Sequence, residues 1–378
     1  MNKLRVAPLL PVLVSGCLLL MLSFGYRAGF GLFMQPMSEA NGWGRDVLSL
    51  ALAVQNLAWG VIAVFAGGIA DRYGTTAGLL VGAGIAGTSF GIVLPAFARA
   101  VPEERRGWAL GIGTAAGSFG QFLIVPLMQE LIELFGWLHT LQYLGLSALL
   151  MALLVIPLAP YGGASGATGD DIPGTLRQVL GRALRVRSYL MLVIGFYVCG
   201  FHLAFITVHM PGYLLDMGFD PRVGAWSIGV IGLCNIFGAY IAGVQSNRFS
   251  MRKMLTYIYV ARAICFALFL IIPISLTTVV LFSASVGFLW LATVPPTSGL
   301  VAVFFGTRYM TFLYGVVFLS HQLGSFTAVW LGGWLHTNFG NYDSIWTAGI
   351  VLGLVAAALH WPIEEHSHLQ KLRTADGL

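Results

Sequence analysis

Residues 67–75 read Gly67-Gly68-Ile69-Ala70-Asp71-Arg72-Tyr73-Gly74-Thr75, a charged turn bracketed by glycines and set between two long apolar runs. A second version occupies residues 242–253, Ala242-Gly243-Val244-Gln245-Ser246-Asn247-Arg248-Phe249-Ser250-Met251-Arg252-Lys253, again with apolar sequence on both sides. A turn of this kind that recurs once in each half predicts a chain built from two related halves.

The composition around these turns fixes the solvent. Of 378 residues, 57% are hydrophobic and only 9% charged, and the mean hydropathy is +0.83. A soluble domain carries roughly 25% charged residues, so the chain is expected to be an all-α, polytopic membrane protein. The net charge of +5 then marks cytoplasmic loops rich in Lys and Arg and gives no reason to expect nucleic acid. Cys17, Cys199, Cys234 and Cys265 all lie in apolar runs without metal-type spacing and read as small packing residues. At the N-terminus, Lys3 and Arg5 precede an apolar run in which Val14-Ser15-Gly16-Cys17 fits a lipoprotein cleavage site. Leu18–Leu22 continue that run where a polar linker would be expected, so the segment reads as a retained first transmembrane helix.

A helix needs about 20 apolar residues to cross a bilayer. Runs of that length fall at 8–34, 47–70, 76–98, 107–129 and 138–158, and then at 189–214, 223–245, 254–274, 277–302, 309–335 and 343–362. The domains expected are an N-terminal bundle over 1–160, a basic cytoplasmic linker over 161–188, a C-terminal bundle over 189–364 and a cytoplasmic tail over 365–378. Eleven spans, five then six, are one short of two equal halves. Asp71-Arg72 aligns with Asn247-Arg248 at an offset of 176, whereas Gly111 and Gly120 align with Gly315 and Gly324 at an offset of 204. The deficit of 28 is about one helix and a turn, and it places the absent helix third in the first bundle. Basic residues at Arg72 and at Arg105-Arg106 also demand an even number of crossings between them if both are cytoplasmic. Three explanations stand: an inverted first pair, a run at 76–98 that does not span, or an internal deletion, which is the one favoured.

No nucleophile elbow, phosphate loop or metal-spaced His and Cys cluster appears, so no enzyme, metal or cofactor is expected. What remains are polar side chains inside spans, which are costly and often functional. Arg27 lies deep in the first span; it either snorkels toward Pro36 and the outer interface or meets an anionic cargo. The second reading gains from the lack of Asp or Glu in the middle of any span. Arg262, nearer its helix start, reads as snorkelling to the cytoplasm. His202 and His209 are seven apart on one helix face, and His321-Gln322 falls mid-span; histidine could take the proton that no carboxylate is present to take, or simply pack. Gln55, Asn56, Gln121 and Asn235 are neutral groups suited to substrate or to interhelical hydrogen bonds. Pro211 and Pro295-Pro296 predict kinks or breaks.

The chain resembles the major facilitator superfamily, most of all its monocarboxylate-transporter-like and oxalate/formate-antiporter-like branch. The residues that carry the resemblance are Tyr26-Arg27-Ala28, Glu39 with Gly42-Trp43-Gly44-Arg45, the turn at Gly67–Gly74, Glu104-Arg105-Arg106-Gly107, Ala109–Gly117 and Gly200-Phe201-His202. It implies two helical bundles about a central cavity and alternating access. It also implies a conformational latch at Gly67, Asp71, Arg72 and Arg248, weakened where Asn247 replaces the second aspartate. The expectation is a monomeric, multi-pass transporter of a bacterial cell (inner) membrane. Its cargo would be small organic anions, monocarboxylates above all, with protons as a candidate co-substrate. The substrate site would draw on Tyr26, Arg27, Gln55, Asn56, Gln121, His202, His209, Asn235, His321 and Gln322. A drug exporter of the same superfamily and a truncated, non-transporting membrane protein are the alternatives.

Overall fold

The computed structural model describes residues 9–73, 93, 97, 101, 106–154, 156–161, 175–246, 248–306 and 309–367. Among these the regular structure is entirely helical, as a chain surrounded by hydrocarbon requires, because only helices and closed barrels satisfy their own backbone there. Helix α1 (Leu9–Gly29) passes through a 3-10 turn (Phe30–Phe33) into α2 (Met34–Asn41); α3 spans Arg45–Tyr73 and α4 spans Arg106–Leu154. A second 3-10 turn (Ile156–Tyr161) and the short α5 (Leu176–Ala183) lead to α6 (Arg187–Asp216), α7 (Pro221–Gln245) and α8 (Met251–Ile271). The chain continues as α9 (Leu276–Leu289), α10 (Val294–Phe305), α11 (Met310–Phe339) and α12 (Asp343–His360).

Nine stretches among the described residues are long and apolar enough to cross a membrane. Ten of the eleven expected runs fall in these helices. Helix α4 supplies two of them, because Gly136 stands at φ 75, a left-handed conformation that favours glycine. The chain folds back there. Ile124 packs on Gly25, and Ser147, from the other arm, hydrogen-bonds the neighbouring Tyr26 at 2.7 Å. The eleventh run, 76–98, lies outside the described residues except for Val93 and Phe97, and with it the question of the absent third helix.

The repeat is visible in the packing. A Cβ on Gly120 would overlap the Met21 carbonyl oxygen, and one on Gly324 would overlap that of Tyr197. Met21 and Tyr197 are 176 apart, while Gly120 and Gly324 are 204 apart. The same backbone contact, α4 on α1 in one half and α11 on α6 in the other, therefore carries the two offsets read from the sequence. The halves meet along two seams, α3 against α11 and α4 against α7. At one end of the first seam a Cβ on Gly67 would lie 2.9 Å from the Thr311 carbonyl oxygen. Of the expected latch, Gly67 thus makes a close approach and Arg248 is exposed; the side chains of Asp71 and Arg72 lie outside the described residues.

Pro295 and Pro296 break their span, as expected: α9 ends at Leu289 and α10 restarts at Val294 with proline in its first turn, where the missing N–H costs nothing. Pro211 instead stays inside the continuous helix α6, packed against Gly224. We expect Gly120→Val and Gly324→Val each to destabilise the protein by at least 1–3 kcal/mol, roughly the cost of overpacking a tight interior. Gly145→Ala, where a Cβ meets nothing within 4 Å, should leave the melting temperature in detergent unchanged; equal melting of all three variants would contradict this packing.

Candidate functional site

Arg27 projects from α1 toward α3. Its Nη2 donates to Asn56 Oδ1 at 3.0 Å, and its guanidinium carbon lies 3.9 Å from the centre of the Trp59 ring. Asn56 and Trp59 are three residues apart, on one face of α3. The Asn56 amide is fixed in this orientation because its Nδ2 donates to the Leu52 carbonyl at 2.9 Å. Asn56 is the twelfth residue of α3, which at 1.5 Å per residue sets it about 16 Å below the Arg45 end, near mid-membrane. Among the described residues no carboxylate pairs with Arg27, which is half-buried. A ring face and a neutral amide do not neutralise a guanidinium in a poorly polarisable interior.

The site continues across the seam between the halves. Trp59 meets the Phe318 ring edge-on at 4.9 Å, and Phe318 stacks on His321 at 5.4 Å. His321 Nδ1 lies 3.0 Å from Gln322 Oε1, which also accepts from the Ser325 hydroxyl at 3.2 Å. Gln322 Nε2 has no hydrogen-bond partner, and the Gln322 side chain covers Gly60 of α3, where a Cβ would stand 2.7 Å from it. Arg27 and Asn56 are therefore brought together, and a run of rings connects them to His321 and Gln322. Trp59 and Phe318, which join them, carried no signal beyond their apolar character.

The other expected site residues sit elsewhere. Tyr26 is engaged with Ser147 inside the first half. Gln55 lies on the exposed face of α3. On the second seam Gln121 donates to the Ile228 carbonyl at 3.0 Å, and Asn235 donates to Ser118 Oγ at 2.8 Å. His202 and His209 are buried within the second half, bound through Nε2 to the carbonyls of Gly349 at 2.7 Å and Val329 at 2.9 Å.

Arg262 corrects an expectation. It does not snorkel: it is 0% exposed and caps the broken span. Its Nη2 donates to the Leu289 carbonyl at 2.6 Å and to that of Trp290, while Asn235 Oδ1 accepts the Leu291 N–H at 2.9 Å. A helix interrupted at mid-depth exposes backbone groups that must be satisfied, and these two side chains satisfy them. The reading failed because depth was counted from the start of α8, whereas the need lay on the neighbouring helix.

The end of the bundle remote from α5 is closed by charge. Arg45 grips Asp216 with both terminal nitrogens, at 2.6 and 2.8 Å, and also donates to Gln35 Oε1 at 2.6 Å and Tyr342 Oη at 3.3 Å. His336 Nε2 lies 3.0 Å from Asp216 Oδ2. On the second seam Arg222 reaches Glu130 at 3.0 Å and Glu133 at 2.6 Å. A cavity of about 270 Å³ lies beside the Arg45 cluster, lined by Gln35, Glu39, Gln129 and His209 among others; Arg27 does not line it. The Arg45–Asp216 pair is bidentate, with Arg45 buried and Asp216 exposed, so losing the aspartate leaves a buried guanidinium without its acid. We expect Asp216→Asn and Arg45→Gln each to raise maleimide labelling of a cysteine placed at Gly212, and the double variant to exceed neither. Additive effects would show that the two side chains act separately.

Two aligned helical halves that meet along two seams are also what comparison with known proteins finds. The family model for the Major Facilitator Superfamily matches residues 76–329. A protein of Bacillus subtilis (strain 168), described as an uncharacterized MFS-type transporter, YcxA, is 24% identical over 353 residues, covering 82% of this chain and 83% of its own. Monocarboxylate transporter 12-B of Danio rerio is 24% identical over 64% of this chain, which spans 57% of that relative's length. Among solved structures, the human organic anion transporter MFSD10 (TETRAN) superposes with a TM-score of 0.67 at 13% identity over 95% of this chain and 100% of its own. A D-xylose-proton symporter does so at 0.61 and 16%, over 94% and 98%. The chain belongs to the Major Facilitator Superfamily, as a multi-pass membrane protein whose relatives are transporters.

Proposed function

We propose that this chain is a secondary transporter of small organic anions, chiefly monocarboxylates, that works by alternating access with Arg27 as the anchor for the carboxylate. One observation carries the reading: the Arg27 guanidinium sits near mid-depth, half-buried, with a neutral amide and an indole face for company and no acid among the described residues. A carboxylate arriving as cargo completes the missing charge. The fork of the guanidinium suits it, since two parallel N–H donors match two carboxylate oxygens. Two further facts support the reading. The monocarboxylate transporters among the relatives share about a quarter of their aligned residues with this chain. Linked to Trp59 through Phe318, the buried His321 and Gln322 bring further polar groups to the same seam, and Gln322 Nε2 has no hydrogen-bond partner.

With the basic linker on the cytoplasmic side, the Arg45 and Arg222 clusters close the outer end. Rocking of the halves about the α3–α11 and α4–α7 seams opens it.

In proteoliposomes, uptake of labelled lactate should fall at least about tenfold in Arg27→Gln, the equivalent of one charge-assisted hydrogen bond. Arg27→Lys should retain part of it, because it keeps the charge and loses the fork. Equal uptake by wild type and Arg27→Gln would remove the anion anchor. A wild type that ignores lactate yet moves a cationic dye would favour the exporter reading instead.

A further inference from the structure

The cavity beside the Arg45 cluster stands apart from the anion site, since Arg27 does not line it. Its walls come from both halves: Leu32 and Gln35 from the 3-10 turn and α2, Gln129 and Ile132 from α4, His209 from α6, and Tyr342 just before α12. At about 270 Å³ it suits a solute smaller than a drug-sized ligand. The polar atoms left over on these walls include several acceptors. His209 is 1% exposed. Its Nε2 binds the Val329 carbonyl at 2.9 Å, which fixes the proton there and leaves Nδ1 a lone pair without a partner. Gly332 and Val329 of α11 cover the Nε2 edge of the ring, so Nδ1 is on the side away from α11. Gln129, 6% exposed, spends its Nε2 on Glu133 at 3.1 Å and keeps Oε1 free. Glu39 takes the Gln35 amide on one oxygen and keeps the other. Pro211, also on the wall, has no N–H to give the Thr207 carbonyl. That oxygen is turned to the lining residue Gly31, where a Cβ would stand 2.5 Å from it.

Charge points the same way. Arg45, the cation on the cavity wall, has both terminal nitrogens committed to Asp216. Among the described residues at this end of the bundle, Glu39, Asp46, Glu130 and Glu133 of the first half and Asp216, Asp220 and Asp343 of the second stand against two guanidiniums, Arg45 and Arg222. Orientation in a membrane is set by Lys and Arg and hardly by acids, so this surplus is not a by-product of topology. An acidic mouth concentrates cations and repels anions, and so does nothing for a carboxylate bound at Arg27.

We propose that this cavity binds a small organic cation, a protonated primary amine on a compact apolar body. Its N–H groups meet the free acceptors of His209, Gln129 and Glu39, and its carbons lie on Leu32, Ile132 and Pro211. A bare metal ion suits the walls less, because no three His, Cys, Asp or Glu side chains converge among the described residues. Since the walls belong to both halves, the amine binds the state in which they are together and favours it over the state in which they part. It is a ligand that holds this end shut.

Thermal unfolding of the purified protein in detergent at neutral pH tests it, with n-butylamine as the probe, n-butanol as its neutral counterpart and butyrate as its anionic one. Butylammonium should raise the melting temperature saturably, and butanol should not. In Glu39→Gln, an exposed position, the concentration giving half the rise should increase about threefold, the effect of one exposed ion pair. Ile132→Trp, which fills the cavity, should abolish the rise. Arg45→Gln removes a positive charge from the wall yet releases the pair that closes this end, so it should weaken binding. No rise with butylammonium, an equal rise with butanol, or a rise that neither Glu39→Gln nor Ile132→Trp alters overturns the amine site. Tighter binding by Arg45→Gln overturns its link to closure. Butyrate, acting through Arg27, should stabilise Glu39→Gln as it does wild type, so either reading can fail while the other stands.

Discussion

A positive charge in a medium as poorly polarisable as the middle of a membrane must find negative charge nearby, and this protein supplies almost none of it as carboxylate. Isolated charges there cost several kcal/mol. Arg45 and Arg222 meet the requirement in the ordinary way, with Asp216, Glu130 and Glu133 at the end of the bundle. Arg262 meets part of it with the carbonyls of a broken helix. Arg27 meets it with nothing encoded among the described residues, which is why its surroundings read as a place for a visitor. The three solutions are graded by depth: full ion pairs at the rim, dipoles in the packed interior of the second half, and an open requirement on the seam.

The same constraint organises the helices. Glycines at Gly120 and Gly324 let two backbones touch where side chains would hold them apart. Close contact of this kind drives association when lipid is as apolar as the helices themselves. Because the contact recurs in each half, the seams α3–α11 and α4–α7 are two versions of one surface. Their far ends carry ion pairs. Near α5, by contrast, the first seam is a bare approach of Gly67 to the Thr311 backbone. Charged contacts are the kind that water can dissolve and re-form, whereas the contacts at Gly120 and Gly324 hold helices together within each half.

Much of this was legible in the sequence, and for a physical reason. Spans are written in composition, since each run of about 20 apolar residues answers directly to bilayer thickness. The offsets of 176 and 204 came from repeated glycines and charged turns, and the packing of Gly120 and Gly324 carries the same two numbers. Arg27 stood out because a lone cation in an apolar run is conspicuous. Its neighbours were less visible. Asn56 was one of several neutral groups, and Trp59 was simply apolar until α3 turned its ring under the guanidinium. Arg262 was misread because its function answers a break in another helix, at Trp290, that lies 28 residues further on. His202 and His209 share a face, as their spacing required, but it is a face packed within the second half and bound to backbone carbonyls.

The central claim is that Arg27 awaits an anion, and binding tests it without any assumption about transport direction or coupling. Anything that binds the folded state alone raises its melting temperature with ligand concentration. The measurement is thermal unfolding of the purified protein in detergent with lactate and, separately, with lactamide, which has the same shape and no charge. The account predicts a concentration-dependent rise with lactate, none with lactamide, and no rise with either in Arg27→Gln. Equal stabilisation by the neutral amide, or a lactate effect that survives the loss of Arg27, would contradict it.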